Sequence, residues 1–245
     1  MGRAFEYRKA AKLKRWGTMS RLFPKLGRMI TIAAKEGGPD PEMNPKLRTA
    51  ILNAKAHNMP KENIEAAIKR ALGKDGAQIK EIVYEAKGPH GTLMYIECAT
   101  DNPTRTVANI KAILARNSGE LLTSGSLDFM FSRKAIFEFD KRDDIDLDEL
   151  TLELIDYGVE DIEEDKVPQE DGSDKEIIRV IGDYKSFGEI NKALEERGIE
   201  IKKAQLQRVP NMPLELTYEQ MDDVTALIEK LEDDEDVQAV YTNLA

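Results

Sequence analysis

Residues 135–140, AIFEFD, begin a segment in which strands and helices alternate. Aromatic and β-branched residues recur in this segment at every second position, and that period predicts a strand. The periodicity that follows predicts helices at 147–157 and 187–197 and strands at 159–163, 176–181 and 199–209. The resulting βαββαβ order is typical of the ferredoxin-like fold, in which two helices cover one antiparallel sheet. We therefore predict an inserted ferredoxin-like domain at residues 135–206.

The segments on either side of this insertion predict a second α/β unit. Its predicted elements are strands at 82–86, 92–99, 127–133 and 237–241 and helices that begin at Pro103 and Tyr218. The carboxy-terminal helix and strand are needed to complete the set, because an α/β sandwich requires both a sheet and the helices that cover it. We therefore expect one discontinuous α/β domain formed by residues 77–134 and 207–245.

Residues 1–76 have a helical period instead of a strand period. Pro24 is the residue type favoured at the first position of a helix, and Gly37-Gly38 would end that helix. Asn44-Pro45 and Met59-Pro60 mark the starts of two more helices. The sequence thus predicts an α+β protein with an amino-terminal helical domain and two α/β sandwich domains.

The composition excludes several classes of protein. With 41% hydrophobic and 33% charged residues, the chain is too apolar for a disordered polymer and too charged for a membrane protein. No apolar run approaches the roughly 18 residues of a spanning helix, and the charged start lacks a signal-peptide core, so we expect a cytoplasmic protein. A single cysteine, Cys98, with His57 and His90, excludes an intrachain disulfide and argues against a metal centre. We expect no cofactor, no small-molecule substrate and no catalysis.

The net charge of −10 conceals two unlike halves. Residues 1–80 contain 18 Lys and Arg against 7 Asp and Glu, whereas residues 81–245 contain 18 against 39. Such asymmetry indicates a segment that binds a polyanion; the alternative is a solvated helix surface whose basic side chains cover apolar neighbours. Ordinary surfaces mix their signs, so we favour nucleic-acid binding. The candidate contact residues are Arg3, Arg8, Lys9, Lys12, Lys14, Arg15, Trp16, Arg21, Lys25, Arg28, Lys46, Arg48, Lys61, Lys69 and Arg70.

The spacing of these residues favours contacts with phosphates. Five basic residues fall between positions 8 and 15, so a helix would carry them on more than one face. No C₂H₂ spacing, RNP motif, GXXG clamp or clear recognition helix is present, so we expect weak sequence specificity. Trp16 is either a stacking residue for unpaired bases or a hydrophobic anchor near the end of a helix.

Several motifs resemble the YebC/PmpR family, and the resemblance spans essentially the whole chain. The most specific pieces are NPKLR at 44–48, NMPKENIE at 58–65, AIKR at 67–70, ECATDN at 97–102 and TSGS at 123–126. The resemblance implies a three-domain, cleft-shaped molecule with two ferredoxin-like α/β sandwich domains. Members are usually described as DNA-binding transcriptional regulators, whereas others resemble ribosome-associated translation factors. A mitochondrial relative activates the translation of a cytochrome oxidase subunit.

The amino terminus departs from that family pattern. The family typically begins with Gly-His-Ser-Lys-Trp before an Arg-Lys-Ala-Ala run. Here Arg8-Lys9-Ala10-Ala11 is retained, but Gly2-Arg3-Ala4-Phe5-Glu6-Tyr7 precedes it, and Trp16 follows it. The resemblance of this segment to the family therefore rests on residues 8–11.

Two further segments are candidate contact sites. The run Thr123, Ser124, Gly125 and Ser126 provides hydroxyl groups that could bind a phosphate or RNA; the alternative is an ordinary turn between a helix and a strand. Arg105 follows a predicted helix start and is a candidate ligand contact. The acidic runs at 143–144, 163–165 and 232–236 are predicted to be solvated loops.

The functional prediction is a non-enzymatic, DNA-binding transcriptional regulator. One alternative is a ribosome-associated translation factor that contacts ribosomal or transfer RNA and relieves stalling. Another alternative, of a different class, is a protein-interaction scaffold. The sequence does not distinguish the first two, because both require a basic helical segment.

Overall fold

The computed structural model describes residues 19–73, 79–142, 144–168 and 174–244. The candidate contact residues from Arg3 to Trp16 lie outside the described residues. The helices are α1 (Met19–Gly37), α2 (Pro45–Ala56), α3 (Lys61–Leu72), α4 (Pro103–Arg116), α5 (Leu147–Leu154), α6 (Phe187–Glu196) and α7 (Tyr218–Glu232). The strands are β1 (Lys80–Lys87), β2 (Leu93–Thr100), β3 (Glu120–Leu121), β4 (Phe131–Asp140), β5 (Val159–Pro168), β6 (Asp174–Asp183), β7 (Lys203–Pro210) and β8 (Val237–Thr242).

The amino-terminal helices begin and end close to the predicted signals, with one exception. Helix α1 already includes Met19, so Pro24 lies inside the helix, and the prediction that it occupies the first position was wrong. A proline near the start of a helix removes one backbone hydrogen bond, and the turn before it contains the half-buried Leu22 and Phe23. The chain leaves α1 at Gly38, whose φ of +91° is a conformation that glycine adopts readily.

The buried side chain of Asn44 connects the end of α1 to the start of α2. Its Nδ2 donates to Ala33 O at 2.7 Å and to Gly38 O at 2.8 Å, while its Oδ1 accepts from Leu47 N at 3.0 Å. One amide therefore satisfies backbone groups at two helix termini, which fixes the turn between these helices.

The first sheet has the strand order β3-β1-β2-β8, and every pairing in it is antiparallel. Helices α4 and α7 supply the apolar residues that cover it, among them Ile110, Leu114, Val224 and Leu227, all fully buried. This arrangement joins residues before and after the insertion in one hydrophobic core.

The strand predicted at 127–133 was wrong in its first half. Residues 124–130 form turns, and the strand that pairs with β1 is instead the short β3. The physical cause is Glu85, whose buried carboxylate accepts from the backbone N–H groups of Gly125 and Leu127 at 2.6 and 2.8 Å. These groups thus have a side-chain partner instead of a neighbouring strand.

The second sheet has the order β5-β6-β4-β7, which with the βαββαβ sequence is the ferredoxin-like arrangement. Its core includes the fully buried Phe137, Leu154, Val180, Ile190 and Leu194. The fold-class prediction is confirmed: helices at the amino terminus precede two antiparallel sheets, each covered by helices.

Strands β5 and β6 are longer than predicted, which changes the interpretation of one acidic run. Residues 163–165 belong to β5 instead of a solvated loop. Asp165 is buried and lies 2.8 Å from Arg179 Nη2 on β6. Pairing with this guanidinium offsets the cost of burying the carboxylate.

The described residues form two compact units. One contains the described residues up to 47 together with 60–132 and 208–244; the other contains 48–59 and 133–207. In the second unit the Asn53 side chain of α2 donates to Ala204 O at 2.7 Å and accepts from Ala204 N at 3.1 Å. The division into domains at 1–76, 77–134 with 207–245, and 135–206 stays a prediction.

Replacing Gly182 by alanine is expected to destabilise the second unit. A Cβ atom at this position would overlap Ile190 Cδ1 and lie 2.7 Å from Gly158 O. Such overpacking costs about 1–3 kcal/mol of unfolding free energy, measurable by thermal or urea denaturation. Gly188→Ala is the matched control, because no atom lies within 4 Å of its added Cβ. Equal losses in both variants would contradict the packing argument.

Candidate nucleic-acid interface

Five of the predicted contact residues that the structure describes are solvent-exposed. They are Lys46, Arg48, Lys61, Lys69 and Arg70 on α2 and α3. Lys46 pairs with Glu36 at 2.8 Å and with Glu81 at 3.2 Å, and Lys61 lies 3.6 Å from Glu65. Exposed pairs of this kind are worth at most about 1 kcal/mol each, so they do not prevent these cations from binding a phosphate.

Two other predicted contact residues are bound within the chain. Lys25 Nζ donates to Glu232 O at 2.6 Å, and burial lowers the pKa of this ammonium group although nearby carboxylates oppose the shift. Arg28 Nη1 donates to Ala99 O at 2.8 Å and to Glu235 O at 2.7 Å. These contacts join α1 to the end of α7 and to β2. Arg21 also belongs to α1.

The Asp236 carboxylate is the centre of this junction. Its side chain is 3% exposed and accepts from Arg28 Nη1 at 2.9 Å, Arg105 Nη2 at 2.9 Å and Thr106 Oγ1 at 2.8 Å. Burial alone would raise the pKa of this carboxyl, but the hydrogen bonds from Arg105, Thr106 and Arg28 outweigh it, so the pKa is lowered. The prediction that residues 232–236 form a solvated loop was therefore wrong for Asp236.

Arg105, the candidate ligand contact, shares its guanidinium between two carboxylates. It binds Asp236 and also Asp101, whose Oδ1 lies 3.0 Å from Nη2. The hydrogen bond with Asp236 is the main reason that the pKa of Arg105 is raised. Its side chain remains 47% exposed, so part of the guanidinium faces solvent. The contact with a ligand stays a prediction.

Residues Thr123–Ser126 are exposed to solvent, but hydrogen bonds with neighbouring parts of the chain fix their backbone. Besides the two bonds to the Glu85 carboxylate, Leu122 N donates to Glu85 O at 2.8 Å. Ser126 Oγ donates to Thr123 O at 2.6 Å. Gly125 has a φ of +88°, so a larger residue there would be strained whatever the surrounding space. Hydrogen bonds within the chain thus fix the conformation of this turn.

The far end of the same segment is fixed by Asn211. Its Nδ2 donates to Phe129 O at 3.0 Å, its backbone N donates to Met130 O at 2.9 Å, and its Oδ1 accepts from Ser132 Oγ at 2.6 Å. We call residues 122–132 the clamped loop, because Glu85 holds its beginning and Asn211 its end.

Tyr95 supports the clamped loop between these two anchors. Its hydroxyl donates to Asp128 Oδ1 at 3.2 Å, and its ring meets Phe131 edge-on with centroids 5.2 Å apart. The Arg208 guanidinium lies 4.0 Å from the ring centroid of Tyr95. Burial, aided by the Glu85 and Asp128 carboxylates, raises the pKa of Tyr95 to about 12, so the hydroxyl remains a donor at neutral pH.

A cluster of ion pairs lies on the sheet of the second unit. Arg179 there lies 3.3 Å from Glu138, 3.4 Å from Glu163 and 2.8 Å from Asp165. Lys203 Nζ also lies 3.7 Å from Glu138 Oε2, so two cations share these three carboxylates. The cluster therefore links all four strands of this sheet through ion pairs.

The remaining reactive side chains have structural environments. Cys98 is buried, and burial raises the pKa of its thiol to about 12, as expected for a packed cysteine. His90 Nε2 lies 2.8 Å from Asp223 Oδ2 in an exposed pair. Within the described ranges, no group of three or more His, Cys, Asp or Glu side chains is arranged to hold a metal ion. No described helix has both the length and the apolar character required to cross a membrane.

Sequence reasoning missed the roles of Glu85 and Asp236. Asp236 was grouped with an acidic run, although Val237 directly after it is fully buried and begins a strand. Glu85 stands in β1 beside the fully buried Ala86, and a carboxylate among such neighbours signals a buried acceptor. Neither signal identifies the donors, which come from distant positions in the chain.

Asp236→Asn is expected to lower the unfolding free energy by about 2–3 kcal/mol. This is less than the roughly 3–5 kcal/mol of a fully buried pair, because Arg28 and Arg105 can regain water. Because the pKa of Asp236 is lowered in the folded state, its ionised carboxylate stabilises the native protein fully above about pH 4. This stabilisation is lost as the pH falls through the lowered pKa. The variant should therefore lose less stability than the native protein between pH 5 and pH 3, measured by thermal denaturation. Asp223→Asn, an exposed carboxylate, is the control; identical pH profiles for native protein and Asp236→Asn would contradict this role.

Two models of known protein families together match nearly all of the sequence. Residues 3–74 match the TACO1/YebC protein N-terminal domain, and residues 79–244 match the TACO1/YebC second and third domain. A crystal structure of a conserved hypothetical protein from Aquifex aeolicus has a TM-score of 0.76 and 34% sequence identity, over 93% of this chain and 90% of that one.

Relatives named probable transcriptional regulatory protein align over the full length of both chains. The protein from Sulfurovum sp. is 68% identical over 244 residues, and that from Sulfurimonas denitrificans is 62% identical over 245 residues. A third, from Wolinella succinogenes, is 61% identical over 246 residues. With both family matches in place and whole-chain identity at this level, the chain belongs to the TACO1/YebC family, a family of regulatory proteins.

Proposed function

We propose that this protein regulates gene expression by binding nucleic acid through the phosphate backbone. The observation that carries the proposal is the segregation of charge, with 18 basic against 7 acidic residues in positions 1–80 and 18 against 39 thereafter. The basic segment attracts a polyanion, while the acidic remainder repels it and confines it to one part of the molecule. The names of the full-length relatives support a role in regulation.

Duplex DNA is the target in the main version of the proposal, because the relatives are named probable transcriptional regulatory proteins and such a role is usually exerted on DNA. The exposed cations Lys61, Lys69 and Arg70 lie on more than one face of α3, which suits contacts with phosphates better than the reading of base edges. Specificity is therefore low, and affinity depends mainly on ionic strength. The protein in this proposal is cytoplasmic and performs no catalysis.

The salt dependence of binding tests this proposal. If about six phosphates are neutralised, log K for a random-sequence DNA duplex falls with log salt at a slope of roughly −5. Replacing Arg8, Lys9 and Lys12 by alanine should make the slope shallower by up to about 3, because each lost cation removes one counterion-releasing contact.

Exposed basic residues outside the amino-terminal segment provide the matched control. Lys111, Arg116 and Lys192 are exposed on α4 and α6, and their replacement by alanine should leave the slope unchanged. An equal effect of the two triple variants would contradict the proposed segment. No binding to DNA or RNA at low salt would favour the scaffold alternative.

A ribosome-associated role is a second candidate, favoured by the clamped loop. Its exposed hydroxyl groups lie in the acidic part of the chain, where a protein that binds DNA only through its basic segment has no use for them. A small, hydroxyl-bearing and glycine-containing turn suits a crowded RNA site, because hydroxyls bond to 2′-OH or phosphate groups.

Ser124→Tyr tests the second candidate without straining Gly125. The variant should leave affinity for duplex DNA nearly unchanged but fail to correct a translational defect in cells that lack the native protein. Ribosome profiling beside RNA sequencing would then show altered pausing with unchanged transcript levels. Lys111→Tyr, at an exposed position on α4, is the control. Loss of DNA binding in proportion to lost function in Ser124→Tyr would instead support the promoter-binding version.

A further inference from the structure

We propose that Phe129 is a stacking platform for an unpaired RNA base, a role that rests on the RNA version of the proposed function. The side chain is 91% exposed, the highest value among the large apolar side chains in the described part of the chain. Exposed apolar side chains are common, but most of them cover neighbours with part of their surface. Phe129 instead presents nearly its whole ring to solvent.

The backbone beneath this ring is fixed on both sides. Glu85 binds the N–H groups of Gly125 and Leu127, and Asn211 binds the carbonyl groups of Phe129 and Met130. An aromatic ring on such a loop loses little conformational freedom when it binds, since the chain is already ordered. The fixed backbone therefore indicates that the exposed ring of Phe129 serves to bind a ligand and is not a chance feature of a flexible segment.

The surroundings of the ring favour a base over an apolar protein surface. The clamped loop that carries Phe129 also contains the exposed Thr123, Ser124 and Ser126. Protein hot spots lie within a ring of contacts that excludes water, whereas a base requires one aromatic face and nearby polar groups. Exposed hydroxyl groups in the same short loop as an exposed aromatic ring match the second requirement.

The local charge selects a base instead of a phosphate as the bound group. Asp128 precedes Phe129, and the nearby Arg208 is already paired with Glu97 at 3.1 Å. A duplex keeps its bases stacked inside and offers mainly phosphates, which this region does not attract. The expected ligand is therefore single-stranded, and its contact with Phe129 should depend weakly on salt.

A tryptophan at position 129 would report stacking directly. Trp16 is the only tryptophan of the chain, so the double variant Trp16→Phe, Phe129→Trp carries a single indole on the clamped loop. Titration with a ten-nucleotide oligoadenylate, whose bases are unpaired, should quench its fluorescence in a saturable manner. The control is Trp16→Phe, Leu152→Trp, whose indole replaces a side chain that is 74% exposed on α5. Equal responses at both positions would overturn the proposal.

Affinity measurements on the otherwise native chain separate this inference from the proposed function. Phe129→Ala should weaken oligoadenylate binding by about 5- to 100-fold, whereas Phe129→Tyr retains it and both keep duplex DNA affinity. An oligodeoxyadenylate of the same length shows whether the 2′-OH contributes. If the native chain binds neither nucleic acid, the proposed function fails; if it binds but Phe129→Ala changes nothing, only this inference fails. Weaker binding of Phe129→Ala to whole ribosomes with unchanged RNA affinity would assign the ring to a protein contact and overturn the proposal.

Discussion

The first unit depends on the hydrogen bonds and ion pairs made by the buried carboxylate of Asp236. It lies in the connection between α7 and β8, yet its hydrogen-bond donors come from α1 and from the first turn of α4. A buried charge is tolerated only when it is paired and hydrogen-bonded. Asp236 can therefore be buried only where these donors reach its carboxylate. The same requirement fixes the basic helix α1 against the core formed by the first sheet.

The carboxylate of Glu85 is also buried and hydrogen-bonded, but its donors are backbone N–H groups. Its carboxylate satisfies two N–H groups that would otherwise require a strand partner, and it thereby converts a segment of strand-like composition into a turn. The clamped loop is thus a consequence of one charged residue inside β1. The Tyr95 hydroxyl and the Asn211 side chain then act on a loop whose starting position is already determined.

Regular periodicity made most elements predictable, whereas single long-range contacts did not. The βαββαβ order and the helix starts at Asn44-Pro45 and Pro103 follow from local signals, because caps and apolar spacing act over a few residues. The error at 127–133 and the burial of Asp236 have a different origin. Both depend on partners at least 40 positions away, and no local pattern in the chain records such a partner.

The intrachain contacts of Lys25 and Arg28 change the meaning of the basic segment. Both cations donate hydrogen bonds to backbone carbonyl groups, and Arg28 also pairs with the Asp236 carboxylate. They therefore stabilise the fold, although their formal charge alone would suggest that they are available to a ligand. Of the other predicted contact cations, Arg21 also lies on α1, and the rest precede α1 in the sequence or lie on α2 and α3. Phosphate binding is therefore expected from those positions, while α1 acts as the support that connects them to the acidic remainder.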